Sequence, residues 1–438
     1  MKWNWITNAV LLFVGLLPVL TGATSNQIDQ SGPGLAFVGA TVHTVSGQTI
    51  PNATLLIRGK LVEDVGTGIE IPDDYCIVKL SPQAKIYPGL IDADSDIGRI
   101  EIGSVRGTVD SSEVDDIHPD VMTERSINAD SEHIKVTRSN GVLLSNSVPR
   151  GGVIAGASAL LQHKGWNWQD MVVKSPVGLH VFWPQMTVKT EKPDDPYEEL
   201  KSPEDQLKER DEKLELLQEA FDESKAYLTA QQDHQKSTFL KVDPRWLAMK
   251  PVFDKKIPLI IHAKTVKQIK ASLQFTQERN LDFVLAGGAD AWRMTSALKS
   301  RDISVILEGI LGMPHRDWEP YDVTYTNATR LFKAGIRFCI SNGGGASNNR
   351  NLPYHAAKAV AFGLPKEEAV RSITLSAAEI LQVSDRYGSI EKGKEATFII
   401  TDGDILDIRS HVIKAFIAGQ EIDLDDRHKR LYERYRKR

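Results

Sequence analysis

The chain predicts an α/β fold, a (β/α)8 barrel joined to a small sheet domain built from both ends of the sequence. Three observations lead there. Between residues 89 and 388, near-continuous apolar runs alternate with helical stretches, the pattern of parallel strands joined by crossover helices. That span of about 300 residues suits eight strand–helix units. Residues 33–88 and 389–424 share another texture, short strands broken by Gly, Pro and Asp.

Taken in order, residues 1–23 carry Lys2, an apolar run from Ala9 to Leu20, and small residues up to Ala23. The run is too short to cross a bilayer comfortably and reads as a signal peptide, with an uncleaved N-terminal anchor as the alternative. The expected address is therefore exported, periplasmic or extracellular. The sheet domain is read from "LAFVGATVHTV", "ATLLIRGKLVEDVG" and "CIVKL", then "GSIEKGKEATFIITDGD" and "VIKAFIAGQEIDL" near the other end. Strands of the 89–388 body are read from "GVLLSNSV", "GLHVFWP", "IPLIIHA", "LDFVLAGG", "ISVILEG" and "GIRFCISN". Residues 190–240 form a charged helical insert. Ser202 is its N-cap and Pro203 its first helical residue, and Leu207, Leu214, Leu217, Phe221 and Leu228 make one apolar stripe that fits the barrel exterior. Residues 425–438 are a basic tail, expected to be solvated. The two cysteines, Cys76 and Cys339, sit in apolar runs and are expected to be buried free thiols. Net charge is −5 with no basic stripe, so nucleic acid is not an expected partner.

Barrel chemistry sits at the C-terminal ends of strands. The stretch "AKIYPGLIDADSDIG" reads as a buried strand that ends in Asp92, Asp94 and Asp96. Alternate residues share one face, so three carboxylates crowd together and need a cation, donors or a proton. "IPLIIHAK" ends at His262, "FVLAGGAD" at Gly287 and Gly288, and "RFCISNGGG" at Ser341 and Asn342. "DADSDIG" is not a helix-loop-helix calcium loop, because Gly98 comes one place late and Gly103 stands where Glu is needed. Arg150 in "VPRGGV" follows a strand and is a candidate grip for a substrate carboxylate, with a structural ion pair as the alternative.

Taken together, "GKLVEDVG", "YPGLIDA", "RGGVIAGASALLQHKGW", "IPLIIHA", "GIRFCIS" and "GSIEKGKEATFIITDGD" resemble the amidohydrolase superfamily, nearest its imidazolonepropionase-like branch. The resemblance implies a metal-dependent barrel hydrolase of non-peptide C–N bonds, with zinc as the family metal. It also implies a small β-sandwich made from 33–88 and 389–424. It places metal ligands at Asp94, Asp96, His262 and Gly287, and a general base at Asn342. The family has His-x-His at the first two positions, His at the position of Gly287 and Asp at the position of Asn342. Only His262 keeps the family's residue.

The substitutions bear directly on chemistry. Zinc lowers the pKa of bound water from about 15.7 to about 7, worth about 12 kcal/mol. Carboxylates suit harder cations better than zinc. Asn342 cannot take a proton near neutral pH, and a positioned base contributes roughly 10²–10⁴ in rate. The sequence therefore predicts a degenerate metal site with lost or reduced hydrolysis, holding no metal or one weakly bound divalent ion. One alternative is an active hydrolase with an oxygen-rich site rebuilt from Asp94, Asp96 and His262 with Asn342 beside it. Another is a structural or interaction protein. The partners these readings expect are a small-molecule ligand, a second copy of the chain or a related amidohydrolase.

Overall fold

In the computed structural model, residues 33–190, 199–233 and 241–438 are described. The predicted leader at 1–23 lies outside the described residues, as do 191–198 and 234–240 of the charged insert. The aspartate-bearing strand Leu90–Ser95 is buried along its whole length. It pairs in parallel with Val142–Ser147, and that pair extends through Ala159–Gln162 to Val172–Lys174 as a four-stranded sheet. A six-stranded sheet runs Ile154–Ala157, Leu179–Phe182, Leu259–Ala263, Phe283–Gly287, Val305–Leu307 and Phe338–Ile340. Its last five members pair in parallel.

The two sheets meet at two seams. At one, the chain from 154 to 162 serves both. Ile154–Ala157 pairs antiparallel with Leu179–Phe182, and Ala159–Gln162 pairs antiparallel with Val142–Ser147. Ser158 sits at the break, donating to the Gly178 carbonyl at 3.1 Å and accepting from the Val177 N–H at 2.9 Å. At the other seam, Phe338–Ile340 approaches Leu90–Ser95. There the Asp94 N–H donates to the Ser341 hydroxyl at 2.9 Å, and the Gly344 N–H donates to the Asp94 carbonyl at 3.2 Å. The arrangement is mixed α/β. Among the described residues it is not the all-parallel, continuously hydrogen-bonded barrel that the sequence predicts. One strand position is antiparallel, and a serine side chain takes the place of a backbone ladder at the closing seam.

Crossover helices follow the parallel strands. Val266–Glu278 begins in a capping box, with the Gln268 N–H donating to the Thr265 hydroxyl and the Gln268 side chain accepting from the Thr265 N–H. Its Ile269, Leu273 and Phe275 are buried in the core of the body.

Both chain ends build one eight-stranded sheet. Its order is Gln420–Glu421, Val412–Ile417, Phe398–Thr401, Lys85–Pro88, Gly34–His43, Thr49–Arg58 and Leu61–Gly66, with Tyr75–Lys79 also pairing to Gly34–His43. Its strands are hydrogen-bonded as one sheet rather than as two separate layers. The long Gly34–His43 strand links them, pairing on one edge with Tyr75–Lys79 and then with Lys85–Pro88. The period-two alternation of strands divides its residues between two cores. Phe398 and Ile400 pack with Phe37 and Phe416, while Ile399, Ala415 and Ile417 join the core of the α/β body. Cys339 is buried, but Cys76 is exposed. This corrects the expectation for Cys76. Its strand has only one strand neighbour and is covered on little of its length, so that Cys76, Ile77 and Lys79 are all in solvent.

The insert is a helix from Pro203 to Asp233. Ser202 caps it, accepting from the Asp205 N–H at 3.1 Å. Leu217 and Phe221 are buried against the body, and Phe221 stands edge-on to Phe275 with centroids 5.1 Å apart. Leu207, at the N-terminal end of the stripe, remains exposed. The basic tail contains an Arg427–Tyr435 helix with no buried residue. Among the described residues no helix is long and apolar enough to cross a membrane.

Candidate functional site

Asp92, Asp94 and Asp96 are all buried at the strand end, and Asp92 meets partners that the other two do not. Asp92 is fully buried. It accepts from the Ser341 hydroxyl at 2.5 Å and from the Asn342 N–H at 3.1 Å. Burial pushes its carboxyl up to about 7, against the pull of those two donors. Asp94 and Asp96 share one guanidinium. Arg150 Nη2 donates to Asp94 Oδ1, and Arg150 Nε donates to Asp96 Oδ1 at 2.6 Å. Burial works against the charge on Arg150, but the two carboxylates outweigh it and hold it protonated more firmly than an ordinary arginine. A second guanidinium, Arg99, lies 3.9 Å from Asp96 and is bound by the Ser147 hydroxyl and the carbonyls of Ser111 and Val148.

On the other side of Asp94 stand His262 and Glu308. His262 Nδ1 is 3.6 Å from Asp94 Oδ2 and 3.9 Å from Glu308 Oε1. Among the described residues, Asp94, His262 and Glu308 are a group whose ligand atoms all lie within 4.8 Å of one another. Asp94 Oδ2 and Glu308 Oε1 are buried without a hydrogen-bond partner. Burial, reinforced by the Asp94 charge, raises the Glu308 carboxyl well above its usual range. Behind the group, His180 Nδ1 and His262 Nε2 are 2.9 Å apart, and the Phe182 ring stacks on His262 with centroids 4.0 Å apart. Burial first, and then the Arg150 charge, pushes His262 well below the usual imidazole range.

Asp94, Asp96, His262 and Arg150 thus come together. The arginine is engaged by carboxylates of the chain itself, so it is an ion-pair partner rather than a free grip for substrate. Asn342 turns away from the group. Its side-chain amide donates to the Gly344 carbonyl and lies 3.3 Å from Asn349 Oδ1. Gly287 has φ +89°, and a Cβ there would stand 3.3 Å from the Ala263 carbonyl oxygen. A histidine at this position would therefore strain the backbone as well as supply an imidazole. The glycine loop after Ser341 packs closely on the cluster. A Cβ on Gly343 would fall 2.9 Å from Glu308 Cβ, and one on Gly344 3.1 Å from Arg150 Nη2.

Sequence reasoning missed Glu308 and His180. The signal for Glu308 was present, an acidic residue directly after the apolar run "ISVIL" at a strand's C-terminal end. His180 follows from alternation, since it shares a strand face with Phe182, which packs on His262. Beside this mouth lies a cavity of about 360 Å³ between the Phe182–Lys189 segment and the insert helix. Phe182, Trp183, Met186, Leu207 and Arg210 are among its walls.

Comparison with known proteins agrees with this architecture. The Amidohydrolase family pattern matches residues 171–422. The amidohydrolase tasK of Hapsidospora irregularis is 20% identical over 382 residues, which cover 80% of this chain and 37% of that protein. An imidazolonepropionase of Flavobacterium johnsoniae is 32% identical over 82 residues, covering 18% of this chain and 20% of its own. The chain therefore spans about a third of the length of the first relative and a fifth of the second. The crystal structure of an amidohydrolase from Thermotoga maritima MSB8 superposes with TM-score 0.79 at 25% identity, covering 89% of this chain and 99% of that one. The matched span, more than half of the chain, shows that the chain belongs to the amidohydrolase family.

Proposed function

We propose that this is an exported amidohydrolase-family protein that has lost, or greatly reduced, hydrolysis of non-peptide C–N bonds, and that binds a small molecule or a partner subunit instead. The two sheets serve as its barrel, with the ligand entering at the aspartate end. Family members typically use a divalent metal. The residues present do not fit that metal. Where the family resemblance places two imidazoles, Asp94 and Asp96 are already joined by the Arg150 guanidinium. This bridge is the observation that carries the proposal. Two unit charges about 4 Å apart at an effective dielectric of about 20 interact by about 4 kcal/mol, and a divalent ion doubles that repulsion. Asn342, bonded within its own loop, supplies no base.

The cavity beside the mouth supports the binding role. Its size falls at the small end of ligand sites, and its walls combine apolar side chains such as Phe182, Trp183 and Met186 with charged ones such as Lys189, Glu209 and Arg210.

A second reading rests on the unpartnered atoms Asp94 Oδ2 and Glu308 Oε1 beside His262. In it, one hard divalent ion sits among these three residues and hydrolysis survives. Metal per chain after dialysis separates the two readings, together with turnover of hydantoin-, imidazolone- and acyl-amino-type substrates. The expected result is far less than one ion per chain and no turnover. Stoichiometric, tightly bound metal with chelator-sensitive turnover would overturn the first reading in favour of the second.

A further inference from the structure

We propose that Arg150 is a resident cation. Its guanidinium bridges Asp94 and Asp96 as a metal ion would, and its removal turns the strand-end carboxylates into a divalent-cation site. This rests on the reading above that the family's metal has no place beside Arg150.

Four observations carry it. The guanidinium spends different nitrogens on different carboxylates, Nη2 on Asp94 and Nε on Asp96, which is a bridge rather than a fork on one partner. Asp94 is wholly buried, so its charge needs a permanent counter-ion. The glycine loop is fitted to the bridge. A Cβ on Gly344 would stand 3.1 Å from Arg150 Nη2 and 3.4 Å from Asp96 Oδ2, and the Gly345 N–H donates to that same oxygen at 3.2 Å. Finally, Asp94 Oδ2 is buried without a partner and faces His262 Nδ1 at 3.6 Å. With the guanidinium gone, Asp94 would offer both oxygens beside one imidazole and the unpartnered Glu308 Oε1, and Asp96 Oδ1 would lose its close donor. An oxygen-rich set with one nitrogen suits Mn²⁺ or a similar hard ion.

The experiment compares the mature chain, Arg150→Met, and the charge-neutral triple variant Asp94→Asn/Asp96→Asn/Arg150→Met. Each is melted with chelator and with added MnCl₂ or ZnCl₂, and its metal is counted after dialysis. The parent should melt at one temperature in all conditions. Arg150→Met should melt several degrees lower in chelator, recover on addition of metal, and retain about one ion per chain more than the parent. The triple variant should respond to no metal and melt above Arg150→Met in chelator. If Arg150→Met does not fold, a folded triple variant supports the proposal, and a triple variant that also fails overturns it. An Arg150→Met protein as stable as the parent in chelator, or one that gains no ion, overturns it too. Parent turnover with bound metal would remove the functional reading above, whereas an extra ion gained by Arg150→Met would still support the resident cation.

Discussion

Asp92→Asn tests whether the innermost carboxylate is a buried acid rather than a buried anion. Asp92 is fully buried, and its pKa stands at about 7 against an ordinary value of 3.8. The sign follows from linkage. Below the unfolded pKa both states hold the proton, and the group has no effect on stability. Between that pKa and the folded one, the unfolded chain ionises while the folded chain keeps its proton. Stability is then lost at about 1.36 kcal/mol per pH unit. The loss levels off above the folded pKa, at about 4 kcal/mol in all. Asparagine keeps an acceptor for the Ser341 hydroxyl and the Asn342 N–H, and it does not titrate. Its amide nitrogen at the unpartnered Oδ2 position adds a pH-independent cost of about 1–3 kcal/mol. The measurement is therefore the difference in Tm, variant minus parent, taken from about pH 4 to about pH 8.5. That difference should rise by several degrees and then level off near pH 7. A difference independent of pH would refute the reasoning.

Two further outcomes are expected. Phe221→Ala should cost about 3–5 kcal/mol in denaturant unfolding, because the ring is 1% exposed and packs on Phe275 and Phe253. A loss below about 1 kcal/mol would mean that the insert helix is not part of the core. The mature protein should begin near residue 24, read by intact mass, as the Lys2 and Ala9–Leu20 pattern predicts. A cytosolic chain that retains Met1 would contradict export.

Much of the chain was legible from local pattern. The six body strands lie where the apolar runs place them, because buried parallel strands need continuous apolar residues and little else. The insert helix could be read from Ser202, Pro203 and a single apolar stripe, all of which act within a few turns. The crowding of Asp92, Asp94 and Asp96 followed from strand alternation. What answers that crowding did not, because Arg150 lies more than fifty residues away from them in the chain and reaches them only once Val142–Ser147 pairs beside Leu90–Ser95. Glu308 and His180 acquire meaning only against His262, which belongs to another strand.

Periodicity, turn residues and the family-like motifs determined the α/β class and the strand positions. Tertiary structure decided the antiparallel run through Ser158, the serine-bridged seam and the single curled sheet at the chain ends. It also decided the identity of the counter-ion. These depend on which strand edges meet and which charges share a buried volume, and both are long-range matters of packing and electrostatics that neighbouring residues do not encode.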